Sequence, residues 1–125
     1  MLNPASLAPP DVTSVNISVS AEGVTLSGSI TTKEPDRSLG RFFRTVHEAA
    51  LQNRLDELRV DVRGLSFVNS SAIRLFIDWA IWVSQPTGPR YRLRFVRNPN
   101  VTWQRVSFPA IAQRAAAHVV IEDGA

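Results

Sequence analysis

A chain of 125 residues, 44% apolar and 20% charged, has the size and make-up of one ordinary globular domain, which excludes wholesale disorder. With no cysteine it has no disulfide, thiolate nucleophile or cysteine-bound zinc, and two distant histidines, His47 and His118, offer a metal little to bind. The net charge of +3, thirteen arginines and Lys33 against eleven carboxylates, is too mild to point to nucleic acid by itself.

Residues 1–11, with Pro4, Pro9 and Pro10, read as a flexible N-terminal tail before a domain spanning 12–125. This opening stretch lacks a basic region and a long apolar run, so no signal peptide is expected. Residues 12–19 alternate apolar and polar, Glu22-Gly23 marks a tight turn, and 24–30 alternate again, which predicts an antiparallel hairpin. Leu39, Phe42, Phe43, Val46 and Ala50 fall at helical spacing and predict a helix over 38–55. Asp36 or Ser38 would cap it, and His47 lies on its partly buried side.

Leu58, Val60 and Val62 alternate with charged residues, as in a third strand with one buried face. A helix over 70–84 follows, ended by Gln85-Pro86-Thr87-Gly88-Pro89. Tyr91, Leu93 and Phe95 alternate with Arg90, Arg92 and Arg94 as a fourth strand. Residues 101–117 predict a third helix, which Pro109 is expected to divide into a turn and a second short helix. Residues 118–121 read as a last strand. No apolar run approaches about 18 residues, so no membrane span is expected and a cytoplasmic protein is the default. Alternating strands and helices imply parallel strands joined by right-handed crossovers. The predicted class is α/β: one mixed sheet, a hairpin in front and about three helices, in the order ββαβαβαβ.

The stretch 57–74 carries the most functional information. Its strand pattern runs into Asn69-Ser70-Ser71, and an apolar helix begins at once. Two hydroxyls therefore stand at a helix N-terminus, where free N–H groups and the helix dipole favour negative charge. Asn69 or Ser70 could cap the helix. Ser70 could also carry a phosphate, with Arg74 one turn on and Ser71 as the second choice.

Gly64-Leu65-Ser66-Phe67-Val68-Asn69-Ser70-Ser71-Ala72 resembles the signature segment of STAS domains, the fold of bacterial anti-sigma factor antagonists. In that family a strand, an Asp-Ser-Ser-Gly segment and an apolar helix follow one another. Asn69 stands where the family has Asp, and Ala72 where it has Gly. The resemblance implies a STAS-like single domain that works by protein binding and is not an enzyme. It implies Ser70 as the phosphorylated serine, within a switch region of Asn69, Ala72 and Arg74. The implied partners are a serine kinase/anti-sigma factor of the histidine-kinase-like ATPase fold and a PP2C-type phosphatase. No cofactor is implied.

On the helix over 70–84, Ile73, Phe76, Ile77 and Ala80 form one apolar stripe and Leu75, Trp79 and Trp82 another. One stripe packs on the sheet. The other is covered by a neighbouring helix or meets a partner, and Leu75, Trp79 and Trp82 are the candidate partner-binding residues. Two further readings stand beside the switch: a non-phosphorylated STAS-like scaffold or homo-oligomerisation module, and a basic nucleic-acid-binding domain using Arg90, Arg92, Arg94 and Arg97. The arginine row is also what a solvated sheet face would carry. No P-loop, Gly-rich dinucleotide turn or nucleophile elbow occurs, and no spacing supports a Ser70–His47 triad.

Overall fold

Five strands form one mixed sheet whose spatial order, β1-β2-β3-β4-β5, repeats the order of the chain. They are β1 (Val15–Val19), β2 (Gly23–Ile30), β3 (Glu57–Val68), β4 (Arg92–Arg97) and β5 (Val119–Asp123). The helices are α1 (Leu39–Gln52), α2 (Ser70–Val83) and α3 (Thr102–Gln113). The structure, a computed structural model, describes residues 1–85, 91–114 and 117–124, so the turn expected at 86–89 and Arg90 lie outside the described residues. β1 and β2 pair antiparallel, and every later pairing is parallel. The expected mixed α/β sheet with three helices is thus what the chain forms.

Each parallel strand is laid beside the one before it, always in the same direction. Right-handed crossovers then put all three helices on one face of the sheet. The alternation along β3 follows from this. Leu58, Val60 and Val62 are fully buried under the helices, while Glu57, Arg59 and Asp61 point to the open face. That face is polar and tied by ion pairs. Arg94 reaches Glu57 at 2.5 Å and Glu122 at 3.1 Å, and Arg63 reaches Asp61 at 2.7 Å. Under the helices the core is aromatic: Phe43 stacks on Trp79 with centroids 4.8 Å apart, and Phe95 meets Phe108 at 4.9 Å.

Several expectations are corrected. Segment 1–11 is not a free tail. Leu2 and Leu7 are buried in the core cluster, and the Leu2 N–H donates to the Ala21 carbonyl at 3.0 Å. The segment holds only a short 3-10 turn, Pro4–Ser6, but that does not stop two leucines from removing apolar surface from water. β1 begins at Val15 and not at 12. Ser14 takes a positive φ of 69°, and its carbonyl accepts from the Ser29 N–H at 2.8 Å. Opposite it Gly28 has φ +97°, and a Cβ there would sit 2.1 Å from the Ser14 oxygen, so this irregular pairing requires glycine. The first helix ends at Gln52, before Arg54 turns left-handed with φ 52°. Pro109 does not divide α3. It lies on the exposed side of one continuous helix, as does Arg105, whose carbonyl it leaves without a helical N–H, so water can reach that carbonyl. Among the described residues no helix is long and apolar enough to cross a membrane.

Candidate functional site

The end of β3 is built differently from its start. β4 pairs with β3 from Glu57 to Asp61 and no further, whereas β2 stays paired up to Val68. Residues 62–68 therefore overhang, with β2 on one edge and no strand on the other. Side chains of α3 fill that edge. Gln104 Nε2 donates to the carbonyls of Val62 at 2.7 Å and Leu65 at 3.0 Å, and Trp103 Nε1 donates to Leu65 at 2.7 Å. Gln104 Oε1 in turn accepts from the Asn98 N–H at 2.7 Å, so this fully buried amide has both ends bonded. Gln104 and Trp103 thus hold in place the strand end that leads into α2.

At the top of the overhang Asn69 is the N-cap. Its Oδ1 accepts from the Ala72 N–H at 2.9 Å, while its Nδ2 donates to the Thr32 carbonyl at 2.9 Å. Cap and donor are the two ends of one amide, and they pin α2 to the loop after β2. Because Asn69 does the capping, Ser70 does not. Ser70 and Ser71 are exposed in the first turn, and their hydroxyls make no hydrogen bond among the described residues. Arg74, also exposed, forms no ion pair there. With Ser71, Lys33, Pro35, Asp36, Leu75 and Asp78 it lines a cleft of ≈ 390 Å³. Two cations and a hydroxyl thus share the cleft with two carboxylates.

The predicted partner stripe lies elsewhere. Trp79 has 0% of its surface exposed and Leu75 is buried. The cover is α1, where Phe43 stacks on Trp79 and Gly40 lets the Leu75 side chain approach. Trp82 is half-buried, with the His47 ring 5.5 Å away and the Arg44 guanidinium 4.9 Å over its face. Ala72, assigned to the switch region, is fully buried with its methyl in the core and cannot touch a partner. The surface of α2 instead carries Ser70, Arg74 and Ile81, with Ile73 and Ile77 half-buried beside them. Positions 70, 73, 77 and 81 share one side of the helix by their spacing. Ile81 is 38% exposed, and Phe67, three residues before Ser70, is 51% exposed. The sequence pattern did not single out Phe67 or Ile81 as surface, and an apolar residue in a strand or helix gives no signal of it.

Comparison with known proteins adds no relative. No family model matches the chain, and no curated protein or solved structure is significantly similar to it.

His47 lies far from Ser70 and is not its partner. It lies against Trp82, twelve residues beyond Ser70 on α2, a rise of roughly 18 Å. Its Nδ1 is 2.7 Å from the Tyr91 hydroxyl, which accepts from Trp79 Nε1 at 2.8 Å. Burial, and the Arg44 charge after it, push the His47 pKa down to about 4, against a smaller upward pull from Glu48. On the sheet, Arg92 is exposed, Arg94 is held by Glu57 and Glu122, and Arg97 meets Asp123 at 2.6 Å.

Proposed function

We propose that this chain is a STAS-like regulatory domain that binds a protein partner at the Ser70 corner and is switched by phosphorylation there. The observation that carries the reading is the pair of exposed hydroxyls at the start of α2, left unengaged because Asn69 caps the helix. The ββαβαβαβ order supports it, as does the partly exposed side of α2 that carries Ser70, Ile77 and Ile81 in line. Unmodified, this corner docks through its isoleucines and Phe67. A phosphate adds about −2 charge where the partner would have to desolvate it, and so favours release. In the free domain the same phosphate is met by the helix N-terminus and by Arg74 one turn on. The partner class is a serine kinase/anti-sigma factor of the histidine-kinase-like ATPase fold, with a PP2C-type phosphatase reversing the step.

Incubation with ATP and a lysate of the source cells, followed by intact mass and peptide mapping, tests the switch. One phosphate on Ser70, lost in Ser70→Ala, is expected. Phosphate confined to Ser71 would move the switch to the hydroxyl that lines the Lys33–Arg74 cleft. Absence of phosphate on a domain that still captures its kinase would favour the second reading, a non-phosphorylated scaffold. That reading draws on Asn69, whose amide is committed to structure where the family has a carboxylate.

A further inference from the structure

Tyr91, His47 and Trp79 come from the residue before β4, from α1 and from α2, and they meet in one buried hydrogen-bonded cluster. We propose that this cluster is an acid-sensitive latch that holds the α1–α2 seam closed over the tryptophan stripe, and that protonating His47 opens it.

The argument is one of proton bookkeeping. Trp79 Nε1 can only donate, so it fixes the Tyr91 oxygen as its acceptor. The phenol still has its own proton to place, and His47 Nδ1 at 2.7 Å is the acceptor at hand. The closed cluster thus needs a neutral imidazole carrying its proton on Nε2. A second proton on Nδ1 would set two donors against one oxygen and leave the Tyr91 O–H without an acceptor in a buried place, which is costly. Other charges point the same way. On α1 the Arg44 cation opposes a charged ring, and Glu48, the carboxylate that favours it, acts more weakly than burial and Arg44. From α2 come Trp79 and Trp82, which carry no charge, and Tyr91 stays a neutral phenol because burial pushes its pKa up. Among the described residues nothing else compensates a cation here. The seam is also thin at this point: His47 is 5% exposed and Trp82 half-buried, so a small outward movement of α1 wets the ring. Such movement uncovers Trp82, then Trp79 and Leu75, an apolar strip otherwise closed to partners.

The experiment is a titration from pH 7 to 4 followed by tryptophan emission and far-UV circular dichroism, with ring NMR of His47 on the same protein. Wild type is expected to shift to the red between pH 6.5 and about 4 while its backbone signal holds. His47→Gln should lose that step, and Tyr91→Phe, which removes the donor to His47 and the acceptor of Trp79, should open at a higher pH. At pH 7 the NMR should show a neutral ring with the proton on Nε2. An unchanged step in His47→Gln, loss of the backbone signal together with the emission shift, or a His47 ring already charged or protonated on Nδ1 at pH 7 would each overturn the latch. The NMR reading needs no variant, so it decides the matter even if His47→Gln does not fold.

Discussion

Replacing Nδ2 of Asn69 with a carboxylate oxygen would set two acceptors face to face, because that nitrogen donates to the Thr32 carbonyl. Asn69→Asp is therefore expected to keep the cap and still lose about 1–3 kcal/mol at pH 7. The introduced carboxyl would have a folded pKa above its unfolded one, so the deficit should shrink as pH falls and the acid regains a donor. Urea melts at pH 7 and pH 4 measure both effects, and an undiminished deficit at pH 4 would contradict this account. Gln104 is the second decisive residue. Gln104→Leu leaves the Val62 carbonyl and the Asn98 N–H without their partner, while the Leu65 carbonyl keeps Trp103, and should cost about 3 kcal/mol, read in the same melts. Neither role was legible in the sequence. Each amide acts across the chain, on partners 37 and 42 residues away, and such a bond leaves no periodic trace. The place of Ser70 was legible, since a strand pattern, small polar residues and a helix pattern follow one another without a gap. Whether Asn69 or Ser70 caps turned on one hydrogen bond.

α2 shows where periodicity stops informing. Its span was readable almost to the residue, expected over 70–84 and found as Ser70–Val83. Its orientation was not, because a helix apolar on two sides is turned by whatever packs on it, here α1 on one flank and the sheet beneath. Trp79→Ala should cost about 3–5 kcal/mol, as large-to-small core changes do, and Trp82→Ala less because its side chain is only partly buried. By contrast Ile81→Lys should stay within about 0.5 kcal/mol of wild type in thermal or urea unfolding. If α2 docks a partner, the same change should weaken its capture from a lysate. Capture unchanged in Ile81→Lys and in Ile77→Lys would remove the isoleucine side of α2 from the proposed interface. α3 gives the complementary case: Pro109 misled the reading of its continuity because a lost helical bond matters little on a wet face.

For the whole molecule, the mixed and mostly parallel character was legible from element order, while the single helix layer needed the strand order and the packed N-terminal segment was hidden by its prolines. The open sheet face makes the domain sensitive to acid. Glu57 is held below the usual carboxylate range by its hydrogen bonds to Arg94, against the pull of burial. For Asp61 burial raises the pKa, but the bonds to Arg63 outweigh it and the net direction is down. Groups depressed in the folded state stabilise it above their unfolded values, and that contribution is lost as pH falls through the folded ones. Stability to urea should therefore drop as pH goes below about 4.5, and Glu57→Gln should flatten part of that slope. With Arg94 and Arg97 already committed to carboxylates, mixed-sequence DNA or RNA should bind weakly at physiological salt. A micromolar affinity that falls steeply with salt would instead promote the nucleic-acid reading.

A sheet whose spatial order is its chain order also has a direction in time. No later strand has to be threaded between two earlier ones, so each can zip onto a finished edge as it leaves the ribosome. β1 and β2 form a template, β3 adds to it, and the Asn69 bond to Thr32 joins residues that both emerge before α2 is complete. The Ser70 corner is then framed by the nascent chain before β5 exists. What comes last is the outer strip of the sheet, together with the ion pairs from Glu122 to Arg94 and from Asp123 to Arg97.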